Sequence, residues 1–150
     1  MGLYFEQFYV GQHFEHAVRR TVTETDNVLI STLTMNPASL HLDAEWSKRT
    51  EFGKPLVNSV FTLGLMVGIS IYDTTHGTTV ANLGWDKVAF THPVFVGDTL
   101  HIETTVIAVR ESRSRPDSGI VTFEHRAYNQ HHVQVASCLR NALMYKRPKE

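Results

Sequence analysis

Nine histidines in 150 residues make metal binding the first chemistry to test. His131 and His132 are adjacent, so they point to opposite faces of a strand or share a turn. His13 and His16 stand apart near the start, and His76 and His92 sit beside Gly77 and Pro93 in expected loops. No His-Glu-x-x-His run and no Cys/His ligand set exists, so no metal site is expected. Gly-x-Ser-x-Gly, the P-loop and Gly-x-Gly-x-x-Gly are absent as well. What remains is the polar segment Thr32 to Asp43. His41 is of the residue type that gives or takes a proton near neutral pH, and Asn36, five residues earlier across a proline-containing turn, could hold a water beside it. The alternative reading of the same residues is an ordinary loop histidine and an ordinary Asn-Pro turn.

A second candidate is Pro55-Leu56-Val57-Asn58-Ser59-Val60, where a helix is expected to begin. Backbone N–H groups in a first helical turn lack internal partners and can hold a developing oxyanion, here at Ser59. Equally, Asn58 or Ser59 could simply cap the helix.

The surrounding elements must position these groups. Thr23 is a cap for a short helix from about Glu24 to Leu33, and Asp43 caps a polar helix over Ala44–Arg49. Val57 to Ile71 is apolar nearly all round, the pattern of a buried helix, with Gly64 and Gly68 leaving a bare strip where another backbone can approach. The second half changes to a period of two over Leu83–Phe90, Thr99–Arg110, Ile120–Gln130 and Val133–Tyr145, broken by turn residues. Helices followed by long antiparallel strands predict an α+β fold with the sheet laid against the apolar helix.

Length and the lack of a linker predict one domain over residues 1–150. Fourteen Lys and Arg against fifteen Asp and Glu supply no broad positive field, so nucleic acid is not an expected partner. The lone Cys138 cannot form an intramolecular disulfide, the first residues lack a secretory pattern, and no apolar run is long enough to span a bilayer. A cytoplasmic protein without a membrane partner is the expectation.

Three stretches carry a family resemblance: Met35-Asn36-Pro37-Ala38-Ser39-Leu40-His41-Leu42-Asp43, then Val57-Asn58-Ser59-Val60, then Phe90-Thr91-His92-Pro93-Val94-Phe95-Val96-Gly97-Asp98. Their order and spacing resemble the MaoC-like (R)-specific enoyl-CoA hydratases, which have a hot-dog fold, an antiparallel sheet wrapped around one central helix. The wording is most similar to the branch acting on mesaconyl-CoA or itaconyl-CoA. The family's catalytic aspartate falls on Asn36, and its glycine before the helix-opening methionine falls on Ser59. An amide accepts no proton at neutral pH, so the family's acid/base pair is altered.

The resemblance implies reversible hydration of a 2-enoyl-CoA, with His41, Asn36 and Ser59 as catalytic residues and Asn58 and Val60 beside the substrate. Asp43 is either a replacement carboxylate or a helix cap. The pantetheine arm is expected along Ala81, Asn82, Leu83 and Gly84. Phosphates are expected at Arg110, Arg113 and Arg115, unless these form a solvated hairpin loop. Coenzyme A is then part of the substrate, with no separate cofactor and no metal, and a homodimer or dimer of dimers is implied. The alternatives are an acyl-CoA thioesterase of the same fold, disfavoured because Val57–Ile71 holds no Asp or Glu, and a non-catalytic acyl-CoA binder.

Overall fold

The alternating second half of the chain forms four long strands, β3 (Thr79–Phe90), β4 (Thr99–Glu111), β5 (Ser118–Tyr128) and β6 (Gln134–Tyr145), in a computed structural model that describes residues 1–148. Two short strands, β1 (His13–Glu15) and β2 (Arg20–Thr21), both pair with β4, and the sheet runs β1-β4-β5-β6-β3 with every pairing antiparallel. Ahead of β3 come α1 (Glu24–Leu33), α2 (Ser39–Leu42), α3 (Ala44–Ser47) and the long α4 (Ser59–Thr74). The first helix forms where the Thr23 cap predicts it: Thr23 Oγ accepts from the Asp26 N–H at 3.2 Å while Asp26 Oδ2 accepts from the Thr23 N–H at 2.8 Å. β1, α2 and a 3-10 turn at Phe5–Gln7 have no clear signal in the sequence, being three or four residues long.

Leu100, Ile102, Thr104 and Val106 of β4 face inward with Val121, Phe123, His125 and Ala127 of β5 and Ala136, Cys138, Arg140 and Ala142 of β6. The apolar members form two clusters. One takes Met66 and Ile69 of α4 together with Val57 and Val94, and the other is closed by Phe5 and Phe8. Each fully buried side chain of this size contributes about 1.5–3 kcal/mol. Gly119 is needed under Phe5, because a Cβ there would lie 2.1 Å from the ring.

A polar row separates the clusters. His16 Nδ1–H donates to Asp73 Oδ2 at 2.7 Å, and Thr104 Oγ1 lies 2.8 Å from both His16 Nε2 and His125 Nδ1. Thr104 has one hydroxyl hydrogen, so it donates to one imidazole and accepts from the other. Beyond them Arg140 is buried against the Phe123 ring, 5.2 Å from its centroid. Burial lowers its pKa to about 10, so it remains charged at neutral pH.

Two expectations need correction. α4 begins at Ser59, and only one of its faces is covered: Val60, Gly64, Gly68 and Tyr72 form an outward stripe, with Val60 49% and Tyr72 71% exposed. Among the described residues outside α4's own neighbouring backbone, nothing comes within 4 Å of a Cβ at Gly64 or Gly68. One sheet supplies one covering layer, so the remaining apolar surface of a helix apolar all round stays open. α1 is inverted in the other sense: Asn27 and Ser31 are its buried residues, while Val28, Leu29 and Leu33 are exposed.

The polar row makes stability depend on pH. Burial, then the Arg140 charge and His16, push His125 well below the ordinary histidine value of 6.5. As the pH falls through that value the unfolded chain gains a proton at this residue and the folded chain does not, so stability is lost on acidification, by up to about 1.4 kcal/mol per pH unit. His101, also lowered, first by burial, acts with the same sign. Urea unfolding at pH 7.5 and 5.5 should show this loss, and His125→Asn, which keeps a donor for Thr104, should flatten the dependence.

Candidate active site

α1 carries the anchor of the site. It ends at Leu33, Met35 then turns the chain with a left-handed φ of 53°, and the Asn36 N–H returns to Ser31 O at 2.8 Å. Asn36 Oδ1 then accepts from the Ala38 N–H at 3.1 Å, a local turn that leaves the amide Nδ2 as its free donor. α2 follows and delivers His41.

His41 is held by its ring and by its backbone. Nδ1 lies 2.7 Å from Leu56 O. A carbonyl oxygen only accepts, so Nδ1 carries the hydrogen and the neutral ring has its lone pair on Nε2. The Leu56 N–H donates to Leu40 O at 3.0 Å, which pins the two segments together on both sides of the ring contact. Asn27, 2% exposed, supplies the cross-brace. Its Nδ2 donates to His41 O at 3.1 Å and Leu56 O at 3.2 Å, and its Oδ1 accepts from the Asn58 N–H at 2.9 Å.

Asn58 is the N-cap of α4. Its Oδ1 accepts from the Val60 N–H at 3.0 Å and its Nδ2 donates to Ser31 Oγ at 3.3 Å. The side chain is buried and its groups are committed to the fold, so it acts as the cap and not as a surface open to substrate. The Ser59 N–H, one residue further, has no hydrogen-bond partner among the described residues, and Ser59 and Val60 are exposed. Asp43 is also a cap, accepting from the Trp46 N–H at 2.8 Å.

The motif Phe90–Asp98 holds the far side. Val94 O accepts from the Val57 N–H at 2.9 Å, and Gly97 and Asp98 exchange backbone hydrogen bonds of 2.8 Å with Val22. Asp98 Oδ2 accepts from the Phe95 N–H at 2.9 Å across the turn, where Gly97 takes a φ of 96°.

Asn36, His41 and Ser59 are thus tied to one helix face through Ser31, Asn27 and Asn58. A cavity of about 280 Å³ opens at His41, lined also by Glu24, Asn27, Val28, Lys54 and Pro55. Asn36 and Ser59 are not part of that lining. Asn27, Ser31, Glu24 and Lys54 escape the sequence reading. The available signal was the spacing of Asn27 and Ser31, four apart on a helix whose apolar residues do not define its inner face.

The groups expected to hold coenzyme A are dispersed. Ala81, Asn82 and Leu83 are exposed on β3, which among the described residues is an edge strand paired with β6 alone, and Gly84 sits at an irregularity of that pairing. Arg110, Arg113 and Arg115 lie at the opposite end of β4 from Leu100, which packs with Val57. Ten residues of strand at about 3.3 Å each separate them by roughly 33 Å, so they do not join His41 of their own chain. Arg115 Nε is 3.5 Å from Asp117 Oδ1, within the hairpin itself. Among the described residues no three His, Cys, Asp or Glu are placed to hold a metal, and no helix is long and apolar enough to cross a membrane.

Replacing Asn27 by Ala leaves the Asn58 N–H and the His41 carbonyl without this partner in a buried setting. Urea denaturation should show a loss of about 2–4 kcal/mol, against about 1 kcal/mol for Ser31→Ala.

Comparison with known proteins now bears on this site. The pattern of the MaoC-like domain matches residues 6–129. Mesaconyl-CoA hydratase of Cereibacter sphaeroides is 32% identical over 146 residues, covering 97% of this chain and 42% of that protein. The chain therefore spans less than half the length of this relative. Among solved structures, a monoamine oxidase regulatory protein from Archaeoglobus fulgius superposes with a TM-score of 0.88 at 32% identity, over 98% of this chain and 97% of that one. A conserved Mycobacterium tuberculosis protein with a double hot-dog fold gives a TM-score of 0.88 at 23% identity, over 99% of this chain and 46% of that one. The α+β hot-dog fold is thereby shown.

Proposed function

The chain belongs to the MaoC-like domain family, and on that premise we propose that it adds water reversibly across the double bond of a 2-enoyl-CoA thioester. The observation that carries the reading is His41, whose Nδ1–H is fixed on Leu56 O so that Nε2 is the free base, beside a helix that opens with the unpartnered Ser59 N–H. His41 Nε2 takes a proton from water while the water oxygen bonds to C3. The π electrons move to the thioester oxygen, which the Ser59 N–H stabilises as an enolate. Collapse of the enolate takes the proton from His41 back at C2, so the ring ends as it began. Asn36 Nδ2 donates to the water and orients it, a role an amide can fill without exchanging a proton. Coenzyme A is part of the substrate in this scheme, and no separate cofactor takes part.

The acyl group is a short branched dicarboxylic one such as mesaconyl. What supports this is the 32% identity to a mesaconyl-CoA hydratase along nearly the whole of this chain.

The partner is a second copy. The unpaired edge of β3 carries exposed Leu83, Trp85 and Phe90, and α4 carries its open stripe. Apolar edges of this kind favour pairing. The double hot-dog protein, in whose chain this fold fills 46%, supports a second fold of the same kind as the cover. Sedimentation equilibrium should give twice the chain mass, and Leu83→Lys with Trp85→Lys should return it to the single-chain value.

The activity test is incubation with mesaconyl-, itaconyl- and crotonyl-CoA, following thioester absorbance, product mass and free thiol. Hydration without thiol release is expected, and thiol release would indicate a thioesterase instead. His41→Ala should lower the rate by about 10²–10⁴-fold, and wild-type rates in that variant would overturn the mechanism. Asn36→Asp should raise the rate on crotonyl-CoA by adding a second proton-transfer group.

A further inference from the structure

We propose that Lys54 recognises the free carboxylate of the acyl group and so sets the preference for a dicarboxylic substrate, an inference that rests on the hydratase reading above. Lys54 is two residues before Leu56, the residue whose carbonyl fixes the His41 ring. Gly53, with a φ of 67°, and Pro55 bracket it, so its backbone is constrained on both sides. Its Nζ stands 4.3 Å from the centroid of the Phe95 ring, a cation–π contact that positions the ammonium and leaves N–H donors on its other side for an anion. No carboxylate of the described residues lies within ion-pair distance of it, although Glu24 lines the same cavity. Lys54 thus lines the same cavity as His41, on its solvent-exposed side, with an ammonium that is in no ion pair among the described residues.

The volume limits what can enter. About 280 Å³ falls just below the ~300–1,000 Å³ usual for small-molecule sites, so it suits an acyl group and not a whole coenzyme A thioester. In the 2-enoyl thioester of a dicarboxylic acid with a four-carbon chain, a branching methyl included, the free carboxylate is bonded to the carbon that receives water. When His41 activates water for that carbon, the carboxylate must lie within one bond of it, in the reach of the same small cavity. The lining holds one lysine and one glutamate, so a carboxylate gains only where it meets the Lys54 ammonium and not from a general positive field. An acyl group ending in a methyl gains nothing there.

Wild type, Lys54→Met and Lys54→Arg are compared on mesaconyl-CoA and crotonyl-CoA, by kcat/KM and by calorimetric Kd. The wild type should prefer mesaconyl-CoA in both measures. That preference should fall by about 10- to 100-fold in Lys54→Met, the worth of one charge-assisted hydrogen bond, and Lys54→Arg should restore most of it. A merely structural lysine would lower both substrates together and leave the ratio unchanged, which overturns the proposal. A wild type that hydrates crotonyl-CoA without favouring mesaconyl-CoA in rate or binding also overturns it and leaves the hydratase reading standing. Preferential mesaconyl-CoA binding that Lys54→Met abolishes, with no hydration of either thioester, supports Lys54 and overturns the hydratase reading instead.

Discussion

The side chain of Asn27 meets three backbone groups from two segments, the carbonyl of His41 on one and the carbonyl of Leu56 and the N–H of Asn58 on the other, and the arrangement of the whole site follows from that contact. Leu56 O has two lone pairs, one used by Asn27 and the other by the His41 ring. The same carbonyl therefore joins the brace to the imidazole. Because the brace is buried, losing any part of it strands a polar group away from water, and that penalty keeps the geometry in a single arrangement. The base, the helix start and the Asn36 turn share a support in α1.

Buried polarity recurs a second time in the row from Asp73 through His16, Thr104 and His125 to Arg140. This row separates the two apolar clusters, one under α4 and one under the N-terminal turn. Buried groups of this kind are costly unless paired, and the chain of hydrogen bonds along His16, Thr104 and His125 offsets part of that cost. The result is a core that tolerates neutral pH better than acid, because His125 resists the proton that the unfolded chain accepts.

What the chain exposes is as informative as what it buries. The open stripe of α4 and the free edge of β3 are apolar surfaces left over when a single sheet covers a helix that is apolar all round. Gly64 and Gly68 lie in this open surface, with space above both among the described residues. The second copy proposed above would supply the missing layer.

The sequence by itself determined the elements whose signals are local. The Thr23 and Asp43 caps, the period of two along β4 to β6 and the Pro93–Asp98 turn each rest on residues close in the chain, and hydrogen-bonded caps and alternation need no distant partner to be recognised. His41 and Ser59 stood out as candidates through motif spacing. Tertiary structure alone decided that Asn27 and Ser31 face inward while Val28, Leu29 and Leu33 face out, that Lys54 and Glu24 share a cavity with His41, and that the hairpin arginines do not. Those facts depend on contacts between residues as far apart as Asn27 and Asn58, and a helix chooses its buried face by what packs against it, which no local pattern in α1 records.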